Sequence, residues 1–405
     1  MKTFFKRFAQ IIGVLLLLII GLGLYLTFGN FDIEPQDFSD MKIERRNIPK
    51  EQNALYVYRK AWEAVTDKER LAEIYNGEEF EDEELSGILH KNREVFKLID
   101  KGEVLDFEEA EDSQYDVYSG LSFLLEMQSH ESDDRSDLVS YIRFVSKVTK
   151  SPMSVKETYW AAALKHDLWQ SIVGIIPESK SSEVLQEINK QWHSQMFKET
   201  AILAVKCNFK WFCEHLDSLS PGGVDKRTVE QDFFKNPSIY WKDRTSYSFQ
   251  PERVKRQVYD AVQKNIPLFE RDAQALFVEE KAKYAESSST YNEMGRLKSL
   301  VHLGVLEGVY FMELIWRAKK RLLPTLIAIR LYQLDNGRKP STLVELVPKY
   351  LTEVPKDPFN GGEFKYRSRQ GLLYSVGPNK IDDQGRSRED AGDRDDFDDI
   401  VIRLN

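Results

Sequence analysis

A chain of 405 residues with 41% hydrophobic and 30% charged residues has room for two or three domains and the composition of a globular protein with a sizeable core. Its formal charge of −9, with no basic block beyond Arg317–Arg321, lacks the electrostatic footprint of a nucleic-acid binder. Its two cysteines, Cys207 and Cys213, exclude a disulfide scaffold.

In chain order, the first element is an uncharged apolar run from Ile11 to Phe28. At roughly 1.5 Å per residue it nearly crosses a hydrocarbon core of about 30 Å. Lys2, Lys6 and Arg7 precede it, and Asp32, Glu34 and Asp37 follow. The positive-inside rule then predicts a cytoplasmic N-terminus and an exported bulk. The run is longer than a usual signal-peptide core and no Ala-x-Ala follows, so a retained anchor is expected. Residues 1–30 therefore read as a cytoplasmic tip and a single transmembrane helix, with 11–28 in the lipid bilayer of the cytoplasmic (inner) membrane and the rest periplasmic or otherwise extracytoplasmic.

Residues 31–50 read as a polar stalk and 51–290 as a helical domain. A helix is expected from about Asn53, with Leu55, Tyr58, Trp62 and Val65 on one face. Glu78–Glu84 and Phe107–Asp116 read as solvated acidic loops. Leu138, Tyr141, Ile142, Val145 and Val148 form a second stripe. Tyr159–Ile176 forms a third, stopped by Pro177, which cannot continue a helix. Glu183–Leu219 is the longest of these helical stretches. Trp160, Trp169, Trp192 and Trp211 fall in these last two and are expected in a core. On a straight helix Cys207 and Cys213 would point about 240° apart, so a bridge would need an irregular backbone. Stacked helical hairpins, as in a solenoid, would bury such stripes, although no clean repeat is present. Val224–Phe249 reads as a long loop. Helix returns at Val254, Val258, Val262 and Ile266 and is expected to reach about Ala285. A long helix from about Tyr291 to Leu334 contains Pro324, which predicts a kink or a split.

Residues 291–405 read as a module. Asp335-Asn-Gly337 ends the long helix, with Gly337 suited to a left-handed C′ position. Thr342 and Glu345 stand at capping-box spacing and start a short helix. Phe364–Arg367 and Leu372–Val376 are strands of a hairpin, and Ile400–Leu404 is a third strand. One long helix on a small antiparallel sheet is an α+β module. The fold class expected is therefore mainly α: a transmembrane helix, an irregular hairpin- or solenoid-like helical region, and a C-terminal α+β module.

Tyr332, Asp335, Gly337, Pro340, Asp357, Pro358, Tyr374, Ser375 and Gly377 occur in an order that resembles the globular domain of type II secretion major pseudopilins. The likeness covers about a quarter of the chain. The remainder resembles bacterial envelope proteins that place such a module behind an anchored helical region. No Gly-Phe processing site with a following Glu is present, and the module's helix is far from the apolar run, which argues against assembly into a fibre. Residues 381–405 hold nine Asp or Glu against four Arg. Pseudopilins of this type carry calcium in the corresponding loop, so the resemblance implies a site built from Asp382, Asp383, Asp398 or Asp399 with backbone carbonyls. Hard oxygen ligands suit Ca²⁺, although the spacing is not that of an EF-hand. The other reading is a solvated acidic tail with Arg386, Arg388 and Arg394 as counter-ions.

No catalytic constellation is visible. His90, His130, His166, His193, His215 and His302 are scattered, and Cys213-Glu-His215 lacks further ligands at zinc spacing. There is no nucleophile elbow, phosphate loop or dinucleotide fingerprint. The expectation is a non-enzymatic, membrane-anchored envelope protein whose helical region offers a groove to an unidentified protein partner. The alternatives are an accessory of a type II secretion or pilus-like assembly and a hydrolase hidden in the helical region. A deep pocket with converging His and carboxylates would favour the hydrolase.

Overall fold

The computed structural model describes residues 34–42, 47–107, 115–131, 137–150, 155–193, 197–218, 251–267, 293–391 and 398–404. The apolar run 11–28 and the loop expected over 224–249 lie outside them, as does the helical extension expected beyond Pro267. Among the described residues the chain is mainly helical, with twelve α-helices and one three-stranded antiparallel sheet. No helix among them is long and apolar enough to cross a membrane.

The larger of two compact units comprises Ile43–Cys207, Pro267–Gln274 and Gly308–Asn405. It opens with α1 (Ala54–Ala64), where the Asn53 side chain accepts from Leu55 N at 3.1 Å. That side-chain oxygen satisfies one of the donors a helix start leaves open. Short helices α2 (Lys68–Tyr75) and α3 (Asp82–Lys91) follow, then α4 (Arg93–Glu103). Glu84, expected in a loop, sits in the first turn of α3 and meets Arg70 at 2.7 Å. Acidic residues favour a helix N-terminus, and Asp82, Glu83 and Glu84 fill this one.

The core continues through α5 (Tyr115–Glu131), α6 (Asp137–Val148), α7 (Val155–Ile175) and α8 (Ser182–His193). Helix α1 packs on α4, α5 on α6, and α6 on both α7 and α8. Tyr58 stands edge-on to Phe144 at 4.9 Å, and both are fully buried. Lys147 donates to the carbonyls of Gly102, Glu103 and Leu105, closing the C-terminal end of α4 with a cation. A 3₁₀ turn at Ile176–Glu178 carries Pro177 and ends α7 where the sequence places the stop. The single helix expected over Glu183–Leu219 is instead α8 and α9 (Phe197–Ser218).

Helix α11 (Glu293–Asn336) runs through Pro324 as one helix, so of the kink or split expected there the split does not occur. Proline removes the donor that would reach the carbonyl four residues earlier. Here that carbonyl, of Lys320, accepts from the buried indole Nε1 of Trp192 at 3.3 Å. Gly337 then takes φ +68 and its N–H donates to Gln333 O at 2.9 Å. The turn Leu343–Leu346 is 3₁₀, and Glu345 accepts from Ser341 N at 2.7 Å and Thr342 N at 3.2 Å. Strands β1 (Lys365–Arg367), β2 (Leu372–Ser375) and β3 (Ile400–Arg403) pair in the order β1-β2-β3, antiparallel throughout. Leu373 and Ile402 share the buried cluster that contains Leu326 and Ile329 of α11.

The buried Asp357 explains the spacing of the Asp-Pro and Tyr-Ser-x-Gly segments. Its carboxylate accepts from Phe359 N at 3.0 Å, Ser375 Oγ at 2.9 Å and Val376 N at 2.9 Å. Gly377 follows with φ +66, and a Cβ there would strike the Asp398 carbonyl.

The smaller unit contains residues 34–42, the 208–218 part of α9 and α10 (Pro251–Asn265), with 293–307. Phe38 lies within the segment read as a stalk, yet it packs against Phe209 at 5.2 Å and Tyr259 at 5.0 Å. Met41 is buried beside it in sequence. Trp211, expected in a core, is 60% exposed and stacks on His215. The stripe buried on that helix is Phe209, Phe212 and Leu216, which leaves position 211 on the opposite face. Cys207 and Cys213 form no disulfide.

In α4, a Cβ at Gly102 would overlap the ring of the fully buried Tyr58. Gly102→Ala is therefore expected to destabilise the larger unit by about 2 kcal/mol through overpacking, outweighing the better helix propensity of alanine. A urea titration followed by circular dichroism reads this as a lower midpoint at unchanged slope.

Candidate functional site

Helices α7 and α11 carry charged residues inside apolar stripes. Lys165 lies among Ala161, Leu164, Leu168 and Ile172, and Glu313 and Lys319 lie among Leu314, Trp316, Leu322 and Leu323; all are buried. Burial pushes the Lys165 ammonium down to about 7, against the pull of Glu313. Glu313 is raised by its own burial and held back chiefly by Arg317, which donates to it at 3.0 Å. This cluster is a structural joint, because each charge has an opposite charge close by.

Six residues along α11, Lys319 stands differently. Its Nζ lies 2.8 Å from His166 Nδ1 and faces the indole rings of Trp169 at 5.5 Å and Trp316 at 5.0 Å. Burial pushes it down to about 8, while Glu389 and then Asp167 pull the other way. His166 is lowered as well, by desolvation first and then by the Lys319 charge. At neutral pH the imidazole is therefore neutral and its Nδ1 accepts from the ammonium. Gln170 stands 3.4 Å from His166 Nε2 and 3.4 Å from Glu389 Oε1.

This group opens on a cleft of about 720 Å³ within the larger unit. Trp169, Val173 and Pro177 form one wall, Phe311 and Ile315 of α11 another, and Ile400 and Val401 of β3 a third. Arg388 and Glu389 of α12 (Arg388–Ala391) sit at its edge with Asp398, Asp399 and Arg403. The volume is that of small-ligand pockets, and apolar walls alternate with a charged edge in its lining.

Asp382, Asp383, Asp398 and Asp399 are the residues for which the pseudopilin resemblance implies a calcium site. The structure brings three of them together. Asp383 Oδ2 accepts from Asn379 Nδ2 at 2.9 Å and from Asp398 N at 3.3 Å. Asp399 Oδ2 accepts from Gly385 N at 2.8 Å. Asp382 turns instead to the Tyr374 hydroxyl at 2.9 Å. Burial pushes Asp399 up to about 6, with Asp383 and Asp382 adding to the rise. Among the described residues no group of three or more His, Cys, Asp or Glu is arranged to hold a metal ion. Of the histidines, His166 reaches the cleft, and among the described residues it hydrogen-bonds only Gln170 and Lys319. Among the described residues Ser387 lines the cleft, and its hydroxyl donates to Asp390 at 2.9 Å.

In the sequence Lys319 reads as part of the basic block Arg317–Arg321. Its signal was its register: it stands three residues after Trp316 and four before Leu323, on the apolar face of the helix. A search of family models, curated proteins and solved structures finds no match to this chain.

Because Lys319 titrates below the ordinary lysine value of about 10.4, the unfolded chain holds more protons than the folded one between those two values. Stability gained from this group therefore rises with pH across that window. Lys319→Met removes the titration. The free-energy difference between the variant and the parent is expected to shift by about 2–3 kcal/mol in favour of the parent between pH 7 and pH 10. Urea unfolding at the two pH values measures it.

Proposed function

We propose that this chain is a non-enzymatic binding protein of the cell envelope. Residues 11–28 anchor it in the cytoplasmic membrane with the N-terminus inside, and the cleft of the larger unit receives an extended peptide segment of a protein partner. The observation that carries the reading is the cleft itself, about 720 Å³ with apolar walls of Trp169, Phe311, Ile315, Ile400 and Val401 and charges of both signs at the edge. Apolar anchors in such a groove supply affinity while polar edges orient the occupant. The successive packed helices support a hairpin-type helical region. The helix, capped turn, hairpin and third strand of 308–405 support a pseudopilin-like module, and with it an association with a type II secretion or pilus-like assembly as the second reading.

Gly174 lines the cleft and has open space where a Cβ would stand. Gly174→Leu therefore fills the groove without disturbing the helix, which gains propensity. N-acetylated tetrapeptides with apolar residues, titrated by calorimetry into the full-length protein in detergent, are expected to bind the parent and to lose at least about tenfold in affinity to the variant. Binding that ignores Gly174→Leu would refute the groove.

Calcium in the acidic loop has its own support. Asp398 Oδ1 is buried with no hydrogen-bond partner among the described residues, and Asp383 adds like charge to both Asp398 and Asp399. A cation would relieve both conditions, with Asp383, Asp398 and Asp399 as oxygen donors and Asp382 beside them. Calcium is expected to raise the melting temperature of the full-length protein, and Asp398→Asn to abolish the rise. An unchanged melting curve at millimolar calcium would remove the site.

A further inference from the structure

Lys319 is 5% exposed, and its side chain lines the cleft. An ammonium carries three N–H donors. Among the described residues one reaches His166 Nδ1 at 2.8 Å, and no carboxylate lies within ion-pair distance. The two indoles beside it offer ring faces, which attract a cation but fix no donor as an oxygen does. Two other cations among the described residues meet carboxylates directly: Lys255 pairs with Asp217 at 2.5 Å and Glu252 at 2.6 Å, and Arg317 pairs with Glu313 at 3.0 Å. Glu389 and Asp167 attract this ammonium without reaching ion-pair distance, so the open cleft leaves room for a closer counter-charge on the donors that His166 does not take.

We propose that Lys319 anchors a carboxylate site: the cleft takes an apolar molecule ending in a carboxylate, which accepts the remaining ammonium donors while its body lies against Trp169, Phe311 and Ile315. This deepens the peptide-groove reading and rests on it, since a peptide C-terminus following an apolar residue has this chemistry. A free apolar carboxylic acid shares it. The surrounding charges select a monoanion. His166 is neutral, Arg403 is held by Asp390 at 2.7 Å, and Asp167, Glu389, Asp398 and Asp399 oppose Arg388. Lys319 and Arg388 are outnumbered by these four carboxylates, so each further negative charge on a ligand adds repulsion, and a monoanion meets less of it than a phosphate dianion. The low value of Lys319 fits the same picture, because an arriving carboxylate favours the charged form that burial disfavours.

The test uses the full-length protein in detergent and matched panels: N-acetylated tetrapeptides ending in Leu, Phe or Val as free acids and as C-terminal amides, and short apolar carboxylic acids with their primary amides. Calorimetry is expected to show free acids binding at least about tenfold more tightly than the matching amides. Lys319→Met should erase that preference while amide binding persists, and inorganic phosphate should not compete. Tighter binding of peptide acids than of short free acids assigns the site to a protein C-terminus, and the reverse assigns it to a small metabolite; both support the carboxylate site. Acids and amides binding alike, and alike weakened by Gly174→Leu, would overturn the carboxylate site and leave the groove standing. No binding by any panel member would overturn both. A Lys319→Met protein that still prefers acids would overturn the role of Lys319 alone.

Discussion

The hydrogen bond from the Trp192 indole to the Lys320 carbonyl is the contact on which the larger unit turns. Pro324 strips that carbonyl of its helical donor, and a buried carbonyl without a partner costs about 1–3 kcal/mol. With the indole supplying the donor, α11 continues from its charged stretch at Glu313–Arg321 to the apolar stretch at Leu322–Tyr332. One continuous helix therefore carries both the residues that face α7 and those that share a core with the sheet. A break at Pro324 would uncouple the Lys319 side of the cleft from the β3 side.

The interface between α7 and α11 is polar where an ordinary helix pair would be greasy. Lys165, Glu313 and Lys319 replace apolar residues at buried positions, and replacing such groups by hydrocarbon is often neutral or stabilising. They therefore do not exist to hold the helices together. Glu313, Arg317 and Lys165 satisfy one another and fix the lateral register of the two helices. Lys319 and His166 are satisfied only in part, and it is at this pair that the packing opens into a cleft. Completion of the joint at one level and its incompleteness at the next is the physical distinction between an element of structure and a site.

Much of the architecture was legible in the residues. Proline at 177 and glycine at 337 each mark a boundary for a local reason that the structure reproduces, and so do the strands of the C-terminal hairpin, while the start of α1 near Asn53 was legible from its apolar stripe. The failures share a cause. A split at Pro324 follows from the missing donor alone, and the indole that occupies the freed carbonyl lies 132 residues away in sequence. Trp211 was placed inside because aromatics at helical spacing favour a core, yet the neighbouring Phe209, Phe212 and Leu216 already fill that face. The site was hidden for the same reason: a lysine in a basic block reads as solvated surface, and only its register against Trp316 and Leu323 says otherwise. Its partner on α7 cannot be paired with it before the fold is known.

The acidic C-terminal loop shows how far charge alone carries an argument. Nine carboxylates in twenty-five residues suggest a cation, but several have other work. Asp382 holds the Tyr374 hydroxyl and the Gln384 N–H, Asp390 caps the Ser387 N–H and pairs with Arg403, and Asp399 holds the Gly385 N–H, which sits at φ +76. Backbone donors that a tight loop turns inward must meet acceptors, and carboxylates make strong ones. Loop closure therefore accounts for these three carboxylates before any ligand is considered. Among the described residues it leaves unexplained Asp398 Oδ1, buried next to Gly377 and without a donor. Any ligand of the loop has to be argued from that atom rather than from the density of negative charge around it.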